Sequence, residues 1–167
     1  MKKICFLLVL LICPFSVFAI DLASNAKSAI IIEPTTGKVI FEKNSNERLE
    51  PASMTKIMTL LLTFEAVDNG RVSLDDTVNI SKRAADMGGS QMFLEAGSNV
   101  RLEEIIKGVS IASANDGAIA LAEFIGGSVE NFVDMMNKKV EDLGLSNTHF
   151  VNPHGLHADN HYSSAYD

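Results

Sequence analysis

The stretch between Pro51 and Asn69-Gly70 constrains the fold more than any other part of this sequence. Apolar residues recur there so often that they would cover nearly every face of a helix. A helix that is apolar all round lies in the middle of its domain, and Asn-Gly is a common helix end. We therefore expect a buried helix that begins near Ser53. Its apolar residues are Ile57, Met58, Leu60, Leu61, Leu62, Phe64, Ala66 and Val67.

The remaining patterns predict an α+β fold in which a strand pair precedes a helical cluster. Ser28 to Glu33 and Val39 to Glu42 are predicted as strands, and the Pro-Thr-Thr-Gly turn between them makes a hairpin. Residues 71–100 are rich in Gly, Ser and Asp, so we expect loops there, with a helical turn near Lys82 to Asp86. Further elements are expected as helices near residues 102–109, 118–125 and 129–143 and as a short strand near 149–151.

Residues 1–19 are predicted to be a secretory signal peptide, and residues 20–167 to form one domain. Lys2 and Lys3 precede the apolar run Ile4 to Ile12. An uncleaved membrane anchor is the alternative, but the run is well short of the roughly 20 residues that span a bilayer. We therefore expect no membrane anchor and place the protein outside the inner membrane, in the periplasm or facing the cell wall.

Charge and cysteine content exclude several classes of function. The formal net charge is −7, and the chain becomes more acidic once Lys2 and Lys3 are removed, which argues against a nucleic-acid partner. Both cysteines, Cys5 and Cys13, lie in the predicted signal peptide. Disulfide and thiol chemistry are therefore excluded from the predicted domain.

Ser53-Met54-Thr55-Lys56 has the chemistry of an activated serine. A serine hydroxyl needs a neighbouring base, and a lysine three positions further along a helix lies over the same face. Burial beside apolar walls would lower the pKa of the Lys56 amine and let it accept a proton. The spacing alone is weak evidence, because Ser24-Asn25-Ala26-Lys27 also matches it. The alternative is an exposed helix-start serine with a lysine that reaches into solvent.

Ser113-Ala114-Asn115 lies at a break between two expected helices. Such a break can direct a hydroxyl and an amide into a cleft. The alternative is an ordinary helix cap, because Ser and Asn are favoured there.

The order and setting of these two motifs resemble the D-alanyl-D-alanine carboxypeptidases, which are low-molecular-mass penicillin-binding proteins of the β-lactamase/transpeptidase-like fold. The resemblance covers essentially all of the predicted domain. It is carried by Glu33–Lys38, Pro51–Lys56, Gly89–Leu94, Ser113–Asp116, Asn147–Leu156 and His161–Asp167.

The resemblance implies a serine peptidase that acts on the D-Ala-D-Ala end of the peptidoglycan pentapeptide. Ser53 would form the acyl-ester, and Lys56 would accept its proton as the general base. Ser113 would relay a proton to the leaving D-alanine, and Asn115 would position Lys56 and the substrate. β-Lactams would acylate Ser53 as covalent inhibitors, and no cofactor is required.

The family's third motif, Lys-Thr-Gly, does not occur before Asp167. We therefore expect an incomplete catalytic domain whose sheet lacks its C-terminal strands, and weak or absent turnover by this chain alone. An inactive remnant or a peptidoglycan-binding pseudoenzyme is the alternative function. A β-lactamase or a D,D-endopeptidase is a further alternative, which the sequence leaves open.

Four histidines crowd the end of the sequence and raise the question of a zinc site. No cysteine accompanies them, and three of them fall in stretches that carry the resemblance. The sequence therefore predicts no metal. These histidines are His149, His154, His157 and His161.

Overall fold

The computed structural model describes residues 22–167, and the signal peptide predicted for residues 1–19 lies outside this range. The described residues form an α+β arrangement in which two small antiparallel sheets accompany a cluster of helices. Within this range, every helix falls short of the length and apolar character needed to cross a bilayer. The elements are β1 (Ala29–Ile32), β2 (Val39–Lys43), α1 (Thr55–Asp68), β3 (Thr77–Asn79), α2 (Lys82–Ala85), β4 (Asn99–Arg101), α3 (Leu102–Ala112), α4 (Asn115–Gly126) and α5 (Val129–Leu143).

β1 and β2 form the predicted hairpin, with Ile31 opposite Phe41. Its turn is held by the Glu33 carboxylate, which accepts hydrogen bonds from the backbone N–H groups of Thr35 (2.9 Å) and Thr36 (2.7 Å) and from the Thr36 hydroxyl. The Thr36 hydroxyl and the two backbone donors lower the pKa of Glu33 to about 2. The hairpin prediction is therefore confirmed, together with the turn chemistry behind it.

The helical core is built around α4, whose residues 115–122 are all buried. Small side chains there let the neighbouring helices approach closely: a Cβ on Gly117 would lie only 2.8 Å from Val109 Cγ2 on α3. α1, α3 and α5 surround α4 and contribute the larger core side chains, among them Leu102, Ile105 and Phe132. The glycine and alanine content of α4 thus determines which helix lies in the centre.

The prediction that α1 is buried on all sides is wrong. One face of α1 is exposed and apolar, and Ile57 retains 69% of its accessible surface. The buried face is largely polar instead, because Thr55, Lys56, Thr59 and Thr63 point into the protein. The first three find partners in the loop of residues 151–161, and the Thr63 hydroxyl donates to the Thr59 carbonyl of the same helix, so the helix turns its hydrogen-bonding side inward. The exposed apolar stripe consists of Met54, Ile57, Leu61 and Phe64.

Residues 71–100 contain more regular structure than the expected loops. β3 pairs with β4, and Val78 lies opposite Val100. The helical turn predicted near Lys82–Asp86 is present as α2, and the Ser81 hydroxyl caps it by accepting a hydrogen bond from Ala84 N–H. The region therefore forms a small sheet with a helical turn between its strands.

Candidate active site

Ser53 lies in a single 3₁₀ turn, Ala52–Met54, that leads directly into α1. Ala52 has a left-handed backbone with φ of 47°. Ser53 is exposed, whereas Lys56 in the first turn of α1 retains only 3% of its accessible surface. The distance from Lys56 Nζ to Ser53 Oγ is 3.3 Å, so the helical spacing places the two side chains as the sequence predicts.

The amine of Lys56 is held by a second and shorter hydrogen bond. Nζ donates to the carbonyl oxygen of His154 at 2.7 Å, across 98 positions of the sequence. Burial lowers the pKa of Lys56 below its ordinary value of 10.5. A lysine in this setting is unprotonated more often than a lysine in water and can then accept a proton, as a serine nucleophile requires.

The loop of residues 152–156 presents that carbonyl to Lys56. The Asn152 side chain shapes the loop: Oδ1 accepts from Gly155 N–H at 2.7 Å, and Nδ2 donates to the Leu156 carbonyl at 2.9 Å. Gly155 has φ of +88°, and a Cβ there would collide with the Ala52 carbonyl group. The loop therefore rests directly against the turn that carries the nucleophile. Thr59 on α1 adds a hydrogen bond of 2.6 Å from Oγ1 to the Pro153 carbonyl.

Ser113 and Asn115 lie where α3 ends and α4 begins. Ser113 ends α3 in a left-handed conformation with φ of 56°, and Asn115 is the first residue of α4. Asn115 donates two hydrogen bonds of 2.7 Å, from its backbone N–H to Ser90 and from Nδ2 to Gly88. Neither side chain caps α4, so the ordinary helix-cap alternative does not describe this break.

Asp116 is a structural residue that the sequence analysis missed. Its carboxylate is fully buried and accepts hydrogen bonds from the backbone N–H groups of Met92 (3.1 Å), Leu94 (3.0 Å) and Gly117 (2.8 Å). These bonds fasten residues 88–94 to the start of α4, beside Asn115. An acidic residue at the start of an otherwise apolar helix is the signal that could have revealed it.

Two glycine contacts relate the serine–lysine pair to the Ser113–Asn115 segment. A Cβ on Gly89 would lie 2.6 Å from Asn115 Nδ2 and 3.9 Å from Leu156 Cδ2, while Gly155 rests against Ala52. The 152–156 loop therefore contacts the Ser53 turn directly and shares Gly89 as a neighbour with the Asn115 side chain. The side-chain amide of Asn115 donates to Gly88. The amine of Lys56 donates to Ser53 and to His154. Among the described residues, no hydrogen bond therefore joins Asn115 to Lys56.

The second Ser-x-x-Lys match has a different environment. Ser24 and Lys27 are both exposed and lie in the turn region before β1. Exposure leaves the Lys27 amine in water, without the buried surroundings that Lys56 has. The environment rather than the spacing therefore distinguishes Ser53 from Ser24.

Each of the four C-terminal histidines has its own partner. His149 bonds to the Asn160 carbonyl (2.7 Å), His157 to the Glu50 carboxylate (2.8 Å) and His161 to the Thr55 hydroxyl (2.8 Å). His154 Nδ1 accepts from Leu156 N–H at 3.1 Å, and burial followed by the charge of Lys56 lowers the pKa of His154 to about 4. Across residues 22–167, His, Cys, Asp and Glu side chains form no group of three or more suited to a metal ion.

Comparison with known proteins gives a consistent result. The sequence profile of the D-alanyl-D-alanine carboxypeptidase peptidases (S11) matches residues 17–167. The chain is 59% identical over 147 residues to D-alanyl-D-alanine carboxypeptidase DacF of Bacillus subtilis, covering 88% of this chain and 38% of that protein.

Solved structures show the same relationship. The carboxypeptidase DacD from Francisella tularensis superposes with a TM-score of 0.83 at 39% identity, covering 85% of this chain and 34% of that one. Penicillin-binding protein 5 from Haemophilus influenzae superposes with a TM-score of 0.82 at 38% identity, covering 84% and 42%. The described residues thus have part of the penicillin-binding protein fold, and the chain spans less than half the length of these relatives. The chain belongs to the D-alanyl-D-alanine carboxypeptidase family of serine peptidases.

Proposed function

We propose that this chain carries the nucleophile of a serine-type D-alanyl-D-alanine carboxypeptidase that acts on peptidoglycan stem peptides outside the inner membrane. The observation that carries the proposal is the buried amine of Lys56, held 3.3 Å from Ser53 Oγ and 2.7 Å from the His154 carbonyl. The family membership supplies the reaction class, because related proteins bear the name of that activity.

In the proposed acylation, Ser53 Oγ attacks the carbonyl carbon between the two terminal D-alanines. Lys56, whose pKa burial lowers, takes the hydroxyl proton. The His154 carbonyl keeps the amine directed at Ser53, so the lysine does not swing into solvent when it is protonated. The C–N bond then breaks, the terminal D-alanine leaves with a proton, and water later hydrolyses the ester.

Ser113 is assigned the relay of that proton to the leaving nitrogen, and Asn115 the positioning of the substrate. The Asn115 amide is oriented by the Gly88 carbonyl, which accepts from Nδ2 and leaves Oδ1 to accept a substrate N–H. Asn115 donates to Gly88 rather than to the amine, so it would act on Lys56 through the bound substrate. β-Lactams, which mimic the D-Ala-D-Ala end, would acylate Ser53 and stop at the ester.

Labelling with a fluorescent penicillin tests the proposal, because a single acylation is enough to detect. The purified chain is expected to bind the label covalently, and mass spectrometry is expected to find the adduct on the peptide that contains Ser53. The Ser53→Ala variant should lose the label, and the matched control Ser24→Ala should keep it. A folded chain that is not labelled, or that is labelled equally after Ser53→Ala, contradicts the proposal.

A further inference from the structure

His161 is a buried histidine for which the proposed mechanism has no use. Its side chain retains only 4% of its accessible surface and packs edge-on against Phe150, with ring centroids 5.7 Å apart. Both ring nitrogens have partners: Val151 N–H lies 3.0 Å from Nδ1, and Thr55 Oγ1 lies 2.8 Å from Nε2. The imidazole therefore has one fixed orientation.

The partners of His161 determine which nitrogen carries the proton. Val151 N–H can only donate, so Nδ1 must accept and bears a lone pair. A neutral imidazole then holds its proton on Nε2, which donates to Thr55 Oγ1. Burial lowers the pKa of His161, His149 lowers it further, and Glu50 opposes the shift. The neutral form is thus the one that fits this site.

Thr55 lies between the nucleophile and the base. It is the first residue of α1, its side chain is 1% exposed, and its backbone N–H closes the 3₁₀ turn by donating to the carbonyls of Ala52 and Ser53. A displacement of Thr55 would therefore move the turn on one side and Lys56 on the other. The Thr55 hydroxyl is fastened by His161, a residue 106 positions later.

We propose that His161 is a positioning residue whose Nε2–H, donated to Thr55 Oγ1, fixes the turn that holds Ser53 Oγ within reach of Lys56 Nζ. The inference rests on the proposed function and adds to it a residue that does not touch the substrate. The hydrogen bond from His161 to Thr55 also makes the acylation rate depend on pH. Protonated His161 would direct Nδ1–H at Val151 N–H, and two donors cannot share a hydrogen bond. The other titratable groups around this site are His149, Glu50, His154 and Lys56.

Two amide substitutions separate the two hydrogen bonds of the ring. In His161→Gln the terminal amide reaches the place of Nε2 and can donate to Thr55. In His161→Asn the shorter amide takes the place of Nδ1 and can accept from Val151, but it does not reach Thr55. Both variants bury a neutral amide, so each is a control for the other.

The expected result is a difference between the two variants in the rate of acylation by a fluorescent penicillin. His161→Gln should stay within about 3-fold of the parent, because it keeps the bond to Thr55. His161→Asn should be slower by 10-fold or more, and adding Thr55→Val to it should slow it no further. As pH falls below 6.5, the ordinary pKa of histidine, the parent should lose rate through an ionisation that His161→Gln lacks. Equal rates for the parent and His161→Asn, or the same acid limb in His161→Gln, would overturn the inference.

NMR separates failure of this inference from failure of the proposed function. If penicillin does not label the folded parent, the proposed function fails. The role of His161 is then decided by the ¹⁵N chemical shifts of its imidazole and by the amide signal of Ser53. The expected signature is a proton on Nε2, with the Ser53 signal displaced in His161→Asn but not in His161→Gln. A proton on Nδ1, or one Ser53 signal common to all three proteins, overturns the inference. If His161→Asn does not fold, Thr55→Val replaces it, with Thr55→Ser as the control.

Discussion

Replacing Gly155 by alanine should separate the loop of residues 152–156 from the nucleophile turn. Two costs add at this position. A left-handed backbone, here with φ of +88°, costs an L-residue about 1–2 kcal/mol. The new Cβ would also meet the Ala52 carbonyl group, and would lie 2.9 Å from Thr55 Oγ1. Overpacking against backbone that must move costs about 1–3 kcal/mol more.

We therefore expect Gly155→Ala to lose about 2–5 kcal/mol of unfolding free energy, a large part of the 5–15 kcal/mol typical of a domain. For a domain of this size the loss corresponds to a fall in Tm of roughly 6–15 °C. The acylation rate should fall by about 10²-fold, because the His154 carbonyl moves away from the Lys56 amine.

Gly144→Ala is the matched control for Gly155→Ala. Gly144 is also left-handed, with φ of +69°, but no atom lies within 4 Å of the place that a Cβ would occupy. Only the backbone cost of about 1–2 kcal/mol applies there. Thermal unfolding followed by circular dichroism compares the two variants directly. If Gly155→Ala unfolds at the same temperature as Gly144→Ala, the close approach to Ala52 has no energetic weight and the argument fails.

Three further predictions concern buried ionisable groups. Because burial lowers the pKa of Lys56, the unfolded chain binds more protons than the folded chain between that pKa and 10.5. The parent should therefore gain stability relative to Lys56→Met as pH rises through this window. Urea unfolding at pH 7 and pH 10 measures the difference in stability between the two proteins, and a difference that does not change with pH contradicts the prediction. Burial and the charge of Lys56 lower the pKa of His154 to about 4, so the parent should lose about 3 kcal/mol of unfolding free energy as pH falls from 6.5 to 4. His154→Asn keeps an acceptor for Leu156 N–H and should lose less stability over the same range. Equal losses for the two proteins would refute the assignment. Asp116→Ala leaves three backbone N–H groups without an acceptor and should cost about 3–5 kcal/mol of unfolding free energy, measured by urea unfolding. Asp142→Ala removes an exposed carboxylate bonded to Lys138 and should cost little. Similar costs would show that the Asp116 hydrogen bonds add nothing to stability.

Local spacing made part of the site predictable. A serine and a lysine three positions apart on a helix must face the same side, and the structure places them at 3.3 Å. The acceptor that directs the amine was not predictable, because it is a backbone carbonyl with no side-chain signature. The position of this carbonyl depends on the Asn152 amide and on Gly155, which lies 99 positions after Lys56. Only the folded chain brings these residues together. Sequence therefore predicted that Ser53 and Lys56 lie together but not what supports them.

The sequence did not predict which face of α1 is buried, and it did not predict the pairing of β3 with β4. Counting apolar residues along α1 ignored Thr55 and Thr59, whose hydroxyls find buried partners in His161 and in the Pro153 carbonyl. Those partners lie about a hundred positions away, beyond the reach of any periodicity. β3 and β4 are three residues each, and short strands separated by a helical turn carry too little alternation to be distinguished from loops. The hairpin was predictable because its strands adjoin a recognisable turn.

The dependence of Lys56 on His154 has a consequence for the order of events during biosynthesis. A growing polypeptide that has not yet reached residue 154 lacks the carbonyl that holds the Lys56 amine. Under the proposed function, Ser53 would become reactive only after that residue has been made and has docked against α1. An acylating drug would then label the folded molecule and spare the unfinished one.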